Sequence, residues 1–463
     1  MNNYDIIIIG AGISGIMLAY RLLQKNKSLD MILIDKGAYI SKRKCPIMLK
    51  VSNNCLNCKP CSVMCGFAGA GAYSDGKFII STEYGGELPS VIGEEKALYY
   101  MNMADSILKK FSKVKKIYEP NNELLELCSK NKLQLKKGIV KHFGTENNLV
   151  IMEKLLEEIK EKCTFLENSN AIDVKVENME VILENSKKIK GKKIIFAVGR
   201  SGNKFLQTWC EKNNVEINSN NVDIGVRVEL KNEIWKKISS IAYDPKISYI
   251  TKKYKDEVRM FCFNQGGEVV IENTLGGLTV NGHAYSDNNL KTENSNFALL
   301  SGIKFSLPFC NPNEYILNLV KCSNIISGNN VILQRFGDLV SGKRSTVESL
   351  KSSSIKPTLD AYPGDLSLCI PKRQLDNIIE TIYKLNDIAK GTSHDDTLLY
   401  GIEAKYYSSV PKMKNFKIKI IILISLLFLT ACSSVKTVSK YEKKENVTWK
   451  EVEFPVIILN LEP

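Results

Sequence analysis

"YDIIIIGAGISGIMLAYRLLQ", Tyr4 to Gln24, decides the fold. The four consecutive isoleucines read as a short strand buried on both faces. Gly10, Gly12 and Gly15 follow, and then an apolar-periodic helix. "MILID", Met31 to Asp35, is a second buried strand that ends on an acid. Each part has its own task. Gly10 allows the tight turn after the strand, Gly12 lets the backbone approach a pyrophosphate, and Gly15 lets the helix pack close to the sheet. The helix N-terminus then faces phosphate, and Asp35 stands where a ribose hydroxyl needs an acceptor. Ala11 and Ser14 inside the turn and Lys36 after the acid complete the cofactor contacts expected here.

A second stretch separates FAD from NAD. "KKIIFAVGRSG", Lys192 to Gly202, is an apolar strand ending in Ala197-Val198-Gly199. It resembles the hhhATG strand that two-dinucleotide-fold flavoproteins place after a β-hairpin, with Val198 where threonine is usual. "AIDVKVE" and "EVILE" before it supply the hairpin. No second G-x-G-x-x-G occurs. A separate nicotinamide domain of the glutathione-reductase kind is therefore not expected, and NAD(P)H enters only as a transient electron donor.

"GFAGAGAYSDGKFIISTEYGG", Gly66 to Gly86, brings small residues together so that backbone can run close to a flat or charged group. With it come "HFGTENNL" (142–149), "VDIGVRVEL" (222–230), "VNGHAYSDNN" (280–289), "GDLVSGKRST" (337–346) and "YPGDL" (362–366). On these motifs, in this order, residues 1–409 resemble a bacterial FAD-dependent dehydrogenase family, the NAD(P)/FAD-dependent oxidoreductases. The resemblance implies that Gly71, Ser74, Asp75, Gly76 and Lys77 lie near the isoalloxazine. There a lysine would stabilise the negative charge of reduced flavin. It also implies a substrate domain carrying Arg227, Glu229, Arg259, Asn281, His283, Asn296 and Arg344, a polar set suited to an anionic or carbonyl-bearing substrate. Lys77 and His283 are the candidate catalytic residues. His283 is placed for proton transfer, and imidazole has a suitable pKa for it.

The thirteen cysteines are not an evenly spaced disulfide scaffold. Five cluster in "KCPIMLKVSNNCLNCKPCSVMC": Cys45, Cys55, Cys58, Cys61 and Cys65. The C-x2-C-x2-C-x3-C spacing matches an iron–sulfur run, except that Gly66 follows the last cysteine where ferredoxins have proline. A [4Fe–4S] cluster, a zinc or structural-thiol knot, and a disulfide exchanging electrons with flavin are three readings of it.

With 463 residues, 44% hydrophobic and 25% charged, the chain has the make-up of an ordinary globular protein of two or three domains. Its net charge of +14 comes from scattered lysines. No dense basic stripe marks a nucleic-acid surface before the last fifty residues, so no nucleic-acid partner is expected. The expected fold is α/β: a Rossmann-like FAD-binding domain with an inserted α+β substrate domain and an atypical C-terminal tail. Residues 1–85, 141–205 and 336–411 are assigned to the FAD-binding domain, 86–140 to a helical insertion, 206–335 to the substrate domain and 412–463 to the tail.

The tail is a different kind of sequence. "MKNFKIKIIILISLLFLTACSS" from Met413 has a lysine-rich start, a short apolar run and an LTAC that resembles a lipobox ending at Cys432. In the resembling family the corresponding region carries a Gly-Asp motif beside the flavin ribitol. This chain is therefore expected to hold FAD more weakly than a relative that has it. The expected location is cytoplasmic, with membrane association only through residues 418–432 if the tail acts as an anchor. The leading function is a flavin oxidoreductase acting on a small molecule. The alternatives are a basic flavin-fold protein acting on RNA or binding without turnover, or a truncated inactive enzyme fused to a lipoprotein signal.

Overall fold

The structure is a computed structural model that describes residues 3–52, 55–84, 88–112, 117–119, 122–218, 221–285, 287–305, 311–407, 410–411 and 456–458. It has two units, each built on its own sheet. In the first, the isoleucine strand Asn3–Ile9 lies between Met31–Ile34 and Lys188–Phe196, parallel to both. Cys163–Leu166 extends the parallel sheet beyond Met31–Ile34. Neighbours on both edges explain why Ile7 and Ile8 are fully buried and why this strand shows no polar alternation. The helices Ile13–Lys25 and Thr145–Lys160 pack together against the sheet. The expected hairpin is present as Ala171–Lys175 and Glu180–Leu183, antiparallel, with Val174 opposite Val181.

The strand Lys188–Phe196 has two partners on its outer edge. Its first half pairs with the hairpin, and Ile194–Phe196 pairs in parallel with Val456–Ile458 from the end of the chain. The lipobox-like stretch and residues 418–432 lie outside the described residues. Among the described residues, no helix is long and apolar enough to cross a membrane.

The second unit is an eight-stranded mixed sheet ordered Tyr362–Pro363, Ile332–Arg335, Leu398–Lys405, Val222–Lys231, Asn294–Ile303, Glu257–Asn264, Lys246–Ile250, Gln134–Lys136. Helices Pro312–Ile326 and Lys372–Asn386 pack on its central strands. Trp235, Phe263 and Phe297 form its aromatic core, with ring centroids 5.2 to 6.2 Å apart. This corrects the expected boundaries. Residues 336–411 do not return to the dinucleotide unit, because Leu398–Lys405 is buried along its whole length between Ile332–Arg335 and Val222–Lys231. The 86–140 insertion supplies the helices Leu88–Ile92, Glu94–Phe111 and Asn122–Lys130, and then contributes Gln134–Lys136 to the second sheet. A separate hairpin, Glu268–Thr274 and Gly277–His283, leaves the second unit and meets the first.

Candidate cofactor cleft and the polar cluster beside it

The first strand ends in a turn only glycine can make. Gly10 has φ +105°, and a Cβ there would stand 2.2 Å from the Ala197 carbonyl oxygen. Gly12 faces open space, with no atom within 4 Å of a Cβ position. Gly12 also caps the helix Ile13–Lys25, which has no side-chain cap and no acid in its first turn. Its N-terminal N–H groups are thus left to an outside acceptor, with the helix dipole favouring an anion. Asp35 braces the turn, accepting from the Ala11 N–H at 2.9 Å and the Gly37 N–H at 2.8 Å.

Gly10, Gly12, Ser14, Asp35, Gly71, Ala197 and Gly199 line one cleft, together with Arg200, Ser201 and the Met64–Gly66 segment. Gly15 lies beneath it, where a Cβ would meet the Gly10 carbonyl oxygen at 2.0 Å. Lys36 bridges to the far wall by donating to the Ser201 carbonyl at 3.0 Å. Open glycine backbone, a free helix N-terminus and a carboxylate in one cleft fit the pyrophosphate and ribose of a dinucleotide.

Ser74, Asp75 and Gly76 do not line this cleft. They hold its shape. The buried Asn148 donates to the Gly71 carbonyl at 2.6 Å and the Ser74 carbonyl at 3.2 Å, and Gly76 packs against the Asn148 side chain. Lys77 also sits elsewhere than expected. Its buried ammonium donates to the Phe263 carbonyl at 2.7 Å and to Asn264, and lies 3.2 Å from Asp75 and 3.9 Å from Asp244. Every direction it can take is occupied, so it ties the two units together. Burial pushes the Asp75 carboxyl up, but the Lys77 ammonium outweighs burial, helped by His142 and His283 once they are protonated at low pH, and the carboxyl is held at about 2.

Among the described residues, no group of three or more His, Cys, Asp or Glu is arranged to hold an ion. Arg43 organises the cysteine segment instead. Its guanidinium donates to the carbonyls of Ser62 (2.8 Å), Phe67 (2.9 Å), Gly69 (2.8 Å) and Val63. Cys58 is exposed, Cys45 and Cys61 are half-buried, and Cys55 accepts from the Asn273 amide at 3.3 Å. Only Cys65 of the five lines the cleft, where Gly66 packs on Gly37 next to Asp35.

The polar set expected in the second unit divides. Arg227, Asn281 and Asn296 come together. Arg227 donates to Asn281 at 2.9 Å, to the Cys262 carbonyl at 3.1 Å and to Glu403 at 2.9 Å, and its Nε lies 2.8 Å from the other Glu403 oxygen at an angle poor for a hydrogen bond. Asn296 accepts from Asn264 at 3.0 Å. Gly282 is needed here, since a Cβ would stand 2.1 Å from the Asn296 oxygen. Glu229 belongs to a different network, bound to Thr358 at 2.5 Å and Tyr400 at 2.6 Å. Arg259 pairs with Asp223, and Arg344 is exposed.

His283 ends the hairpin strand beside this cluster, and its side chain makes no hydrogen bond to the described residues. Burial lowers its pKa, so it is neutral. Glu272 on the same hairpin receives Asn281 at 2.9 Å and lies 3.3 Å from the Arg200 guanidinium, which brings the cluster to the cleft. Burial pushes Glu272 up, but Arg200 and Lys405 more than compensate and lower it. For Glu403, burial wins over Arg227 and raises the carboxyl to about 7. Sequence reading missed Arg200, Glu272, Glu403, Lys405 and Tyr406. Arg200 directly follows the "FAVG" motif, which is the one signal that pointed to it.

The chain is 24% identical over 434 residues, 88% of its length, to an uncharacterized protein of Clostridium beijerinckii, covering 73% of that protein. Among solved structures it is similar to glycine oxidase from Geobacillus kaustophilus (8% identity, 88% of this chain and 84% of that one, TM-score 0.36). It is also similar to L-amino acid deaminase from Proteus vulgaris (14% identity, 50% of this chain and 54% of that one, TM-score 0.30). Residues 221–406, which contain all of the second sheet except Gln134–Lys136, match the family described as FAD-dependent protein, C-terminal domain-like.

Proposed function

We propose that this chain is an FAD-dependent oxidoreductase acting on a small molecule, with the cofactor in the cleft and the substrate beside the Glu268–His283 hairpin. The observation that carries the reading is the uncapped helix N-terminus behind Gly12, in one cleft with Asp35 and Gly199. Gly10, Gly12 and the first turn of the helix would hold the pyrophosphate, and Asp35 a ribose hydroxyl. The family match over residues 221–406 supports the choice of FAD. When bound, FAD supplies two-electron acceptance of a hydride.

The chain's own residues do the rest. Neutral His283 has a free ring nitrogen to take a proton from a substrate hydroxyl or amine. Arg227 holds Asn281 and Glu403 in place, and Arg200 fixes the hairpin through Glu272. Lys77 positions the Asp75 loop without touching the cleft. NAD(P)H as a transient donor is part of the same proposal, because the chain shows a single dinucleotide motif.

The test is the visible spectrum of the purified chain. Oxidised flavin bands that dithionite bleaches, and FAD released on denaturation, are expected. A colourless protein that stays colourless after incubation with excess FAD contradicts the reading.

A further inference from the structure

Among the described residues, buried lysines and arginines are paired, with one exception. Arg43, Lys77, Lys141, Arg227, Lys246 and Arg259 each end on carbonyls or carboxylates, Lys141 on Asp105 and Lys246 on Asp244, for example. Lys405 is also buried, at 9% exposure, yet its ammonium makes no hydrogen bond and no ion pair within 4 Å to the described residues. It ends the strand Leu398–Lys405, opposite Asp223. The nearby carboxylates that feel its charge, Glu272 and Glu403, are already bound by Arg200 and Arg227.

The next residue repeats the pattern. Tyr406 is 2% exposed and its hydroxyl has no partner among the described residues. It too lies within electrostatic reach of Glu272 and Arg200. Taking an ammonium out of water without a partner is strongly unfavourable, so an unpaired one is retained where something else completes it. Arg200, ion-paired to Glu272, lines the cofactor cleft.

We propose that Lys405 and Tyr406 together bind a carboxylate of the substrate, so that the substrate class is a small organic acid. That the carboxylate belongs to a substrate rests on the oxidoreductase reading above; that Lys405 takes a carboxylate does not. The ammonium supplies a charge-assisted hydrogen bond and the phenol a second donor to the same group.

The test uses the full-length chain loaded with FAD. Benzoate and acetate are titrated in, with benzamide and sodium chloride at equal ionic strength for comparison. Binding is read from the thermal midpoint and from perturbation of the flavin bands. Both carboxylates should raise the midpoint, and benzamide and chloride should not. Lys405→Met should keep its FAD and lose benzoate affinity by about thirtyfold or more, with Lys405→Arg losing less.

Without ligand, Lys405→Met should unfold at the same or a higher temperature than wild type, since it removes an uncompensated charge. Benzoate binding as tight in Lys405→Met as in wild type overturns the proposal. So does an FAD-loaded wild type that neither carboxylate shifts, or a Lys405→Met protein destabilised as if an ion pair had been broken. If the chain carries no FAD, the cofactor reading fails instead, and the thermal shift alone still decides whether Lys405 takes a carboxylate.

Discussion

Gly12 and Asp35 can be read in the sequence because their work is local. A turn, an open backbone and a helix start within six residues leave a spacing that survives as a pattern. Glu403 and Arg227 cannot be read in that way, since they meet across 176 residues through strand pairing. "LLYGIEAKYY" reads only as a buried strand. The pair still makes a prediction. The folded pKa of Glu403, about 7, lies above its ordinary value. The native state therefore holds this proton longer than the unfolded chain does. The stability this contributes is fully present below the unfolded pKa and is lost as pH rises through the folded one. Glu403→Gln cannot titrate. The stability of wild type relative to Glu403→Gln, from urea unfolding at about pH 5 and about pH 8, should therefore fall with rising pH. Parallel pH profiles would contradict it.

Elements carry the second kind of information, and here the reading was mixed. The Ala171–Leu183 hairpin before the Lys188–Phe196 strand stands where β-like runs placed it. The Leu398–Lys405 strand does not, because a strand buried on both faces has no periodicity to say which sheet it joins. Lys77 was expected at the flavin because its motif runs through the Gly-rich loop. Its strand, Lys77–Ile80, instead delivers the ammonium to Phe263 and Asn264 of the other unit. Removing it leaves Asp75 and Asn264 buried without their cation, while Asp244 keeps Lys246. Lys77→Met should therefore lower unfolding stability by about 3 kcal/mol, measured by denaturant titration. FAD should stay bound under native conditions, since Lys77 does not line the cleft. A variant as stable as wild type that loses FAD selectively would restore the flavin-contact role.

At the scale of the molecule, the polar ties between the two sheets include Lys77 to Phe263 and Asn264, His142 to Tyr243, Arg200 to Glu272, and Asn273 to Cys55 and Asn57. The cleft belongs to the first sheet and the polar cluster to the second, and Arg200 is shared. The strand Val456–Ile458 covers the edge of Ile194–Phe196, directly before Ala197 and Gly199 of the cleft. Truncation after Pro411 exposes that edge. It should reduce FAD retention on a sizing column and increase aggregation, whereas equal retention would show that the strand contributes nothing to the site.

The central claim is that the Gly10–Gly12–Asp35 cleft binds FAD, and its most direct test is the FAD content of wild type against Gly12→Val. A valine side chain projects into the open space in front of the helix N-terminus without meeting any protein atom within 4 Å at its Cβ, so the fold should persist while the pyrophosphate is excluded. The account predicts about one FAD per chain in wild type and none in Gly12→Val, with the variant unfolding at the midpoint of wild type stripped of FAD. A folded Gly12→Val protein with the wild-type complement of FAD would contradict it.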